Sequence, residues 1–316
     1  MFDGPPRAGR LPKPARMGYT AAMDIKTIGW IGTGVMGRSM CSHLIKAGYK
    51  ACVYTRTRQK AADLLSAGAS WRGSPREAAA SSDAVFTMVG FPADVEQVYL
   101  GPDGILSGAR PGSVVVDMTT SDPSLAARIH GEAKKRSVAS LDAPVSGGDV
   151  GAREAKLAIM VGGDRDAYEA LLPLFRRMGE TVSLMGGPGA GQHTKMCNQI
   201  LIATTVTGVV ESLLYARKAG LGPDAVIDII GKGAASSWQI NNLGRRMVKG
   251  DFAPGFYIKH FVKDMGIALD EAKRMHLALP GLALVHQLYQ SAMATGLEDL
   301  GTQGLYKVLA RMNGME

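Results

Sequence analysis

Apolar and polar positions along residues 25–186 follow a repeated strand–turn–helix order. Short apolar runs such as IKTIGWIG, KACVYT, DAVFTMVG and GSVVVDMTT are typical of buried strands, and helical stretches of about ten to fifteen residues separate them. The first two helical stretches end at Gly48 and Gly68, as helices often do. Strands that alternate with helices of this length predict βαβ units and a mostly parallel, doubly wound α/β sheet.

The pattern changes after Gly191, where no further strand is predicted. Residues 193–220 form one apolar stretch of about 28 residues, which predicts a long helix buried in a core or an interface. Four more helical segments follow it. We therefore expect a dinucleotide-binding domain over 24–187 and a helical substrate and oligomerisation domain over 188–316, joined by the long helix. A homodimer or homotetramer is expected.

Residues 1–23 are rich in proline, glycine and arginine and have no apolar periodicity, which predicts a disordered tail. An organelle presequence or a start site placed too early are alternatives, since Met23 begins a regular pattern. The segment lacks the apolar core of a signal peptide. No apolar run reaches about 18 residues, so no membrane span is expected.

Charge and cysteine content narrow the function only slightly. The chain has 316 residues and a net charge of +8, but its basic residues form no run of five or more. This favours a site for anionic small molecules over nucleic acid. The three cysteines, Cys41, Cys52 and Cys197, have no metal-ligand spacing and lie in apolar sequence, so we expect reduced core thiols, no metal and a cytoplasmic protein.

A glycine pattern lies between the first strand and the first helix. Gly32, Gly34 and Gly37 have the GxGxxG spacing, in which the glycines allow a tight turn, the approach of a pyrophosphate and close packing of helix on strand. Val35 and Met36, which begin the helix, complete this predicted cofactor loop. Because a strand precedes the pattern and a helix follows it, the sequence predicts a Rossmann-like nicotinamide dinucleotide site.

The second strand lacks the acidic residue that binds the ribose 2′-hydroxyl in many NAD enzymes. It is followed by Thr55, Arg56, Thr57 and Arg58, and arginines can pair with a 2′-phosphate. This favours NADP over NAD as the cofactor. The alternative is that both arginines lie only on the solvated start of a helix.

Two later loops are expected at the carboxyl ends of strands, where ligands bind in such sheets. The backbone of Met88 and Val89 and the hydroxyl of Thr120 are candidates for contacts with the ribose and nicotinamide. Asp117 is expected to order the loop that follows it.

Residues 142–152, DAPVSGGDVGA, place Ser146 before Gly147 and Gly148. Successive backbone N–H groups beside a hydroxyl can bind a carboxylate or a phosphate. Taken alone, the segment could equally be a bulged turn.

Four segments occur in order: GTGVMG at 32–37, DAPVSGG at 142–148, GAGQHTKMCN at 189–198, and KD at 263–264. Over about residues 25–310 the sequence resembles the β-hydroxyacid dehydrogenase family, which includes 3-hydroxyisobutyrate dehydrogenases and semialdehyde reductases. The resemblance implies a catalytic Lys195 with Asn198 as its partner, and Ser146, Gly147 and Gly148 as ligands of the substrate carboxylate. It also implies that Lys263 reaches the cofactor and that Asp264 and Phe256 line the substrate cleft. Ala155-Lys156-Leu157 departs from the Gly-Thr-Leu frequent in the family.

Lys195 lies near the start of the long helix, where a cation opposes the helix dipole. Such a placement favours a functional role, because a lysine beside a hydroxyl can exchange its proton and stabilise charge on oxygen. Partial burial and Lys263 should lower its pKa. His193 does not share its helix face and is expected at the surface, Cys197 in the core, and Trp238 near the cleft or an interface.

The function predicted is therefore NAD(P)-dependent interconversion of a short β-hydroxy acid and its semialdehyde. A non-catalytic, cofactor-binding module of the same fold is the alternative, against which the presence of both Lys195 and Asn198 argues. Oxidative decarboxylation of a phosphosugar would normally require a longer helical domain.

Overall fold

The computed structural model describes residues 24–315, so the predicted tail over 1–23 lies outside the described residues. Nine strands form one sheet: β1 Thr27–Ile31, β2 Lys50–Tyr54, β3 Ser70–Trp71, β4 Ala84–Thr87, β5 Val114–Asp117, β6 Ala139–Asp142, β7 Val145–Ser146, β8 Leu157–Gly163 and β9 Gly179–Gly186. Eight helices connect them: α1 Val35–Lys46, α2 Ala62–Ser66, α3 Pro75–Ala80, α4 Pro92–Leu100, α5 Ile105–Gly108, α6 Pro123–Lys134, α7 Gly148–Glu154 and α8 Arg165–Phe175.

The first six strands are parallel and follow the spatial order β3, β2, β1, β4, β5, β6. This order reverses beside β1, which creates a crevice at the carboxyl ends of β1 and β4. The predicted Rossmann-like, mostly parallel sheet is confirmed. Strand β8 runs antiparallel to β6 and β7, and β9 is parallel to β8.

Alternate strand residues face the two sides of the sheet. On β5, Val114 and Val116 pack in one apolar cluster, and Val115 packs in the cluster on the other side. Trp30 stacks on Phe86 at 5.5 Å between ring centroids within the first cluster. Helices therefore cover both faces, which explains why these strands are almost wholly apolar.

The remainder of the chain is helical. It contains α9 Ala190–Lys218, α10 Pro223–Ile230, a π-helical segment Gln239–Gly244 that runs into α11 Arg245–Val248, α12 Ile258–Arg274, α13 Pro280–Ala294 and α14 Leu305–Met312. These helices enclose a separate apolar core around the 29-residue helix α9. Within this part of the described chain, an isolated antiparallel bridge pairs Tyr257 with Gly301.

One helix bears on the expectation that the chain has no membrane span, which stays a prediction. Within the described residues, helix α9 is long and apolar enough by length and composition, although buried core helices share this property and half of its most apolar stretch is buried in the fold. Its outer face exposes Leu201 and Tyr215, which are 68% and 75% accessible. An exposed apolar face of this kind could form the contact of the predicted homo-oligomer, which stays a prediction.

The start of α9 packs directly against strand β8. A Cβ atom added to Gly191 would lie 2.3 Å from the carbonyl oxygen of Met160, and one added to Gly162 would lie 2.6 Å from the backbone nitrogen of Gly191. Only glycines allow helix and strand to approach this closely. The first turns of α9 therefore rest on the sheet, and its later turns enter the helical core.

Candidate active site

The glycine loop between β1 and α1 forms a cradle at the crevice. Gly32 has a φ of +91°, and Cβ atoms added to Gly32 and Gly37 would lie 2.1 Å from the carbonyl oxygens of Met88 and Gly32, respectively. A Cβ added to Gly34, by contrast, would meet no atom within 4 Å. The buried hydroxyl of Thr33 has no hydrogen-bond partner. Open space at the helix start, with no side chain capping it, fits a pyrophosphate.

The residues after β2 lie at the rim of this cradle. Thr55 is half-buried, whereas Arg56 and Thr57 are exposed. The Arg56 side chain is 82% accessible and lies 3.3 Å from Asp94, an exposed pair that contributes little stability. Arg58 instead lies over the Trp71 ring at 5.7 Å from its centroid. Arg56 is thus free to turn toward a 2′-phosphate.

The loops after β4 and β5 are joined to each other. The N–H of Val89 donates to the Thr119 hydroxyl at 3.0 Å, and the N–H of Thr119 donates to Asp117 Oδ1 at 3.0 Å. Asp117 therefore orders the loop after it, as predicted. Burial raises the pKa of Asp117 to about 7, partly opposed by the hydrogen bonds from Thr119. Met88 continues the β1 pairing through its N–H to Ile31.

Lys263 and Thr120 contact each other directly. The Lys263 ammonium donates to the carbonyl oxygen of Thr120 at 2.6 Å and lies 2.8 Å from Asp264 Oδ1. The sequence had suggested the hydroxyl of Thr120 as the functional group, but its carbonyl is the group engaged here. The contact brings α12 of the helical part to the edge of the cofactor crevice.

Lys195 lies one turn inside α9 and is 6% accessible. Burial lowers the pKa of its ammonium to about 8, with Lys263 contributing to the decrease and Asp264 opposing it. Within residues 24–315 no hydrogen bond or ion pair engages this ammonium. A buried amine without a fixed partner and with a pKa near neutrality suits proton exchange with a ligand.

Asn198, three residues later, connects this helix to the predicted carboxylate loop. Its Oδ1 accepts a hydrogen bond from the Ser146 hydroxyl at 3.3 Å, and its Nδ2 donates to Gln199 Oε1 at 2.6 Å. Gln199 Nε2 in turn donates to Asp264 Oδ2 at 2.6 Å. The structure thus brings together residues that lie far apart in the sequence.

The Ser146 loop has a backbone conformation that favours glycine. Gly147 and Gly148 have φ values of +131° and +62°, and helix α7 begins at Gly148. The loop lies beside the segment before α12, because a Cβ on Gly148 would be 3.8 Å from the Gly255 carbonyl oxygen. Phe256 follows Gly255 in the sequence and is half-buried. It therefore lies near the Ser146 loop, and its role in substrate binding stays a prediction.

The carboxylate of Asp264 does not open to the cleft in the way that the sequence suggested. It is 1% accessible, and its oxygens face Gln199 and Lys263. Its place is beneath the site, where it supports these two side chains. The ring of His260, which also belongs to α12, lies 5.2 Å from that of Phe91 in the loop after β4.

Other expectations have mixed outcomes. His193 is exposed, as predicted, and Trp238 is 62% accessible. The placement of Cys197 in the core was wrong: this thiol is exposed, whereas Cys41 and Cys52 are buried. The apolar neighbours of Cys197 occupy the other faces of α9, which sequence composition alone does not reveal.

Sequence reasoning missed Gln192 and Gln199, two fully buried polar residues of α9. A signal was present: both lie within four positions of Lys195 on the helix, at i−3 and i+4, where side chains share its face. Polar residues on the buried face of an apolar helix require hydrogen-bond partners, which makes them candidates for a site.

Comparisons with known proteins identify the family of both parts of the chain. Residues 27–187 match the family model described as the NAD binding domain of 6-phosphogluconate dehydrogenase, and residues 189–309 match the NAD-binding domain of NADP-dependent 3-hydroxyisobutyrate dehydrogenase.

Three similar proteins cover nearly the whole chain. A probable mitochondrial 3-hydroxyisobutyrate dehydrogenase-like protein of Arabidopsis thaliana is 55% identical over 94% of this chain and 90% of its own. The 2-hydroxy-3-oxopropionate reductase of Escherichia coli is 39% identical over 90% of this chain and 97% of its own. The solved Mycobacterium tuberculosis 3-hydroxyisobutyrate dehydrogenase with L-serine has a TM-score of 0.83 and 29% identity, covering 90% of this chain and 99% of its own. The chain therefore belongs to the β-hydroxyacid dehydrogenases, a family of NAD(P)-dependent oxidoreductases.

Proposed function

We propose that the protein interconverts a short β-hydroxy acid and its semialdehyde, with NADP(H) preferred over NAD(H) and Lys195 as the general acid and base. The observation that carries this proposal is the placement of the buried Lys195 on the same helix as Asn198, which is bonded to Ser146 of the glycine turn. One end of this arrangement suits a proton transfer, and the other end suits a carboxylate.

The glycine turn would hold the substrate carboxylate. Ser146 supplies a hydroxyl group, and Gly147 and Gly148 allow the backbone to approach an anion without side chains in the way. Asn198 contacts the Ser146 hydroxyl and would orient it. A carboxylate held here would place the β-carbon of a short acid toward Lys195, which lies on the same helix as Asn198.

Lys195 would exchange the proton on the substrate oxygen. When bound in the cradle at Gly32, Gly34 and Gly37, the nicotinamide cofactor supplies hydride transfer at the carbon that carries this oxygen. In oxidation, the neutral amine accepts the hydroxyl proton; in reduction, the ammonium donates a proton to the carbonyl oxygen. The pKa of about 8 makes both forms available near neutrality.

The names of two similar proteins support a short hydroxy acid or its semialdehyde as the substrate. One is a 2-hydroxy-3-oxopropionate reductase, and one solved relative is described with L-serine, which is itself a 3-hydroxy acid. The description of the second matching family model as NADP-dependent, together with Arg56 and Arg58 after β2, supports the cofactor preference.

The test is a steady-state screen at 340 nm with glyoxylate and with tartronic, methylmalonic and succinic semialdehydes, each with NADPH and NADH. We expect turnover of at least one of these acids, with kcat/KM higher for NADPH. Lys195→Ala should lower kcat by roughly 10²–10⁴-fold and leave cofactor binding nearly unchanged. A flat absorbance trace with every acid would favour the non-catalytic alternative, and near wild-type kcat in Lys195→Ala would end the assignment of this lysine.

A further inference from the structure

The side chain of Gln192 joins the start of α9 to the loop after β5. Its Nε2 donates to the carbonyl oxygen of Thr119 at 2.7 Å, and its Oε1 accepts from the N–H of Ser121 at 2.9 Å. The residue is fully buried. An amide that bonds two backbone groups of one loop through both of its ends fixes the position and the orientation of that loop.

The backbone at the same position is also held. The N–H of Gln192 donates to Asp142 Oδ2 at 2.8 Å, and the N–H of Gly189 donates to Asp142 Oδ1 at 2.8 Å. Asp142 is the last residue of strand β6. Because its carboxylate accepts from N–H groups that have no partner within the helix, it anchors the start of α9 to the sheet. The helix start can therefore not slide while both bonds persist.

The loop that Gln192 grips belongs to the cofactor side of the crevice. Its Thr119 hydroxyl accepts from Val89, and the Thr120 carbonyl accepts from Lys263. Lys195 follows Gln192 by three residues, close to one helical turn. The bonds of Gln192 thus lie between the proposed proton donor and the loop over the predicted nicotinamide position.

We propose that Gln192 is a positioning residue for the reaction: it fixes the distance between the start of α9, which carries Lys195, and the loop 119–121. The inference rests on the role proposed above for Lys195. Reaction rates depend steeply on such alignment, since a misplacement of about 1 Å can cost on the order of 100-fold.

The first experiment compares Gln192→Met with Tyr289→Phe. Met has a similar length but makes neither backbone bond. Tyr289→Phe is the matched control, because it removes one buried side-chain bond, to the Thr302 carbonyl oxygen at 2.8 Å, in the core of the helical part. Each variant is measured for Tm, for the stoichiometry and Kd of NADPH binding by fluorescence, and for kcat per NADPH-binding site with the best semialdehyde.

Gln192→Met should lower kcat per binding site by about 10- to 100-fold and change the Kd of NADPH by less than about threefold. Tyr289→Phe should lower Tm and leave kcat unchanged. If Gln192→Met keeps kcat within about twofold of wild type while Lys195→Ala is inactive, the inference on Gln192 is wrong and the proposed function stands. Near wild-type kcat in Lys195→Ala would instead end the assignment of Lys195, on which the inference rests.

Gln192→Glu gives a second measurement that remains decisive if the Met variant does not fold. The introduced carboxyl group can accept from Ser121 and also donate to Thr119 only when it is protonated. Burial and the carboxylates of Asp117 and Asp142 favour the protonated form, whereas Lys195 and Lys263 oppose it. The ratio of variant to wild-type kcat should therefore rise as the pH is lowered from about 9 to about 6. A ratio independent of pH over this range would overturn the inference.

Discussion

The ammonium of Lys263 donates a 2.6 Å hydrogen bond to the carbonyl oxygen of Thr120, which ties helix α12 to the loop after strand β5. Lys263 also pairs with Asp264 at 2.8 Å. These two neighbours act on Lys195 in opposite directions, because the cation lowers its pKa and the carboxylate raises it. Substitution of Lys263 or Asp264 should therefore change the pKa of Lys195, and with it the pH range of the proposed proton exchange.

The pH dependence of the reaction should follow the pKa of Lys195, which is about 8. Oxidation requires the neutral amine, so its kcat/KM should increase with pH and level off above about 8. Reduction requires the ammonium, so its kcat/KM should decrease above the same pH. Both profiles can be recorded at 340 nm in a constant-ionic-strength buffer series. Asp264→Asn should move both midpoints to lower pH and Lys263→Met to higher pH, each on the order of 0.5–1 pH unit; shifts in the same direction would contradict this electrostatic account.

Gly34 and Gly37 should respond differently to alanine. Gly34→Ala places its Cβ in open space and requires no unusual φ, so Tm should stay near wild type while Kd for NADPH rises by about tenfold or more. Gly37→Ala forces a Cβ to within 2.1 Å of the Gly32 carbonyl oxygen, which should cost about 1–3 kcal/mol of stability. Thermal unfolding and fluorescence titration separate the two effects. Unchanged NADPH affinity in Gly34→Ala would place the pyrophosphate elsewhere.

Asp117 should make the protein less stable as pH rises. Burial raises the folded-state pKa from 3.8 to about 7, so the unfolded chain releases this proton first, and stability falls between those two pH values. Asp117→Asn keeps an oxygen for the Thr119 N–H and removes this penalty. Its stability advantage over wild type should grow by about 2–3 kcal/mol between about pH 5 and about pH 7. Urea unfolding at both pH values measures it, and an advantage that stays constant would show that Asp117 titrates normally.

Arg56 should contribute to the preference for NADPH. Its side chain is largely exposed and only weakly paired with Asp94, so it can turn to a 2′-phosphate at little cost. Arg56→Ala should lower kcat/KM for NADPH by about tenfold and change that for NADH by less than about twofold. Arg165→Ala, which removes the same charge from a distant exposed pair with Glu169, is the control. A wild-type ratio of kcat/KM for NADPH over NADH below one would refute the preference itself.

The sequence predicts most of the fold, because local patterns encode it. The blocks around β1, β4 and β5 are apolar on both faces, and the GxGxxG spacing locates the first turn. The split between β6 and β7 was not predicted: the run VASLDAPV reads as one strand, but Pro144 lacks an N–H and interrupts the pairing.

The candidate site was predicted less completely, because its contacts cross long sequence separations. The positions of Ser146 and Lys195 follow from local segments, but nothing local shows that Asn198 contacts Ser146 or that Asp264 faces inward to Gln199. The exposure of Cys197 likewise depends on which face of α9 packs against its neighbours. Such facts require the packing of helices in three dimensions.

The close approach of Gly191 to strand β8 bears on how the enzyme could open and shut. With no side chain between helix and sheet, the beginning of α9 has no freedom to tilt independently of the strands. Lys195 must then travel with the nucleotide-binding layer, although in sequence it belongs to the helical half. A hinge that admitted substrate would therefore have to lie farther along the chain than this contact, and the amine of Lys195 would keep its position relative to the sheet.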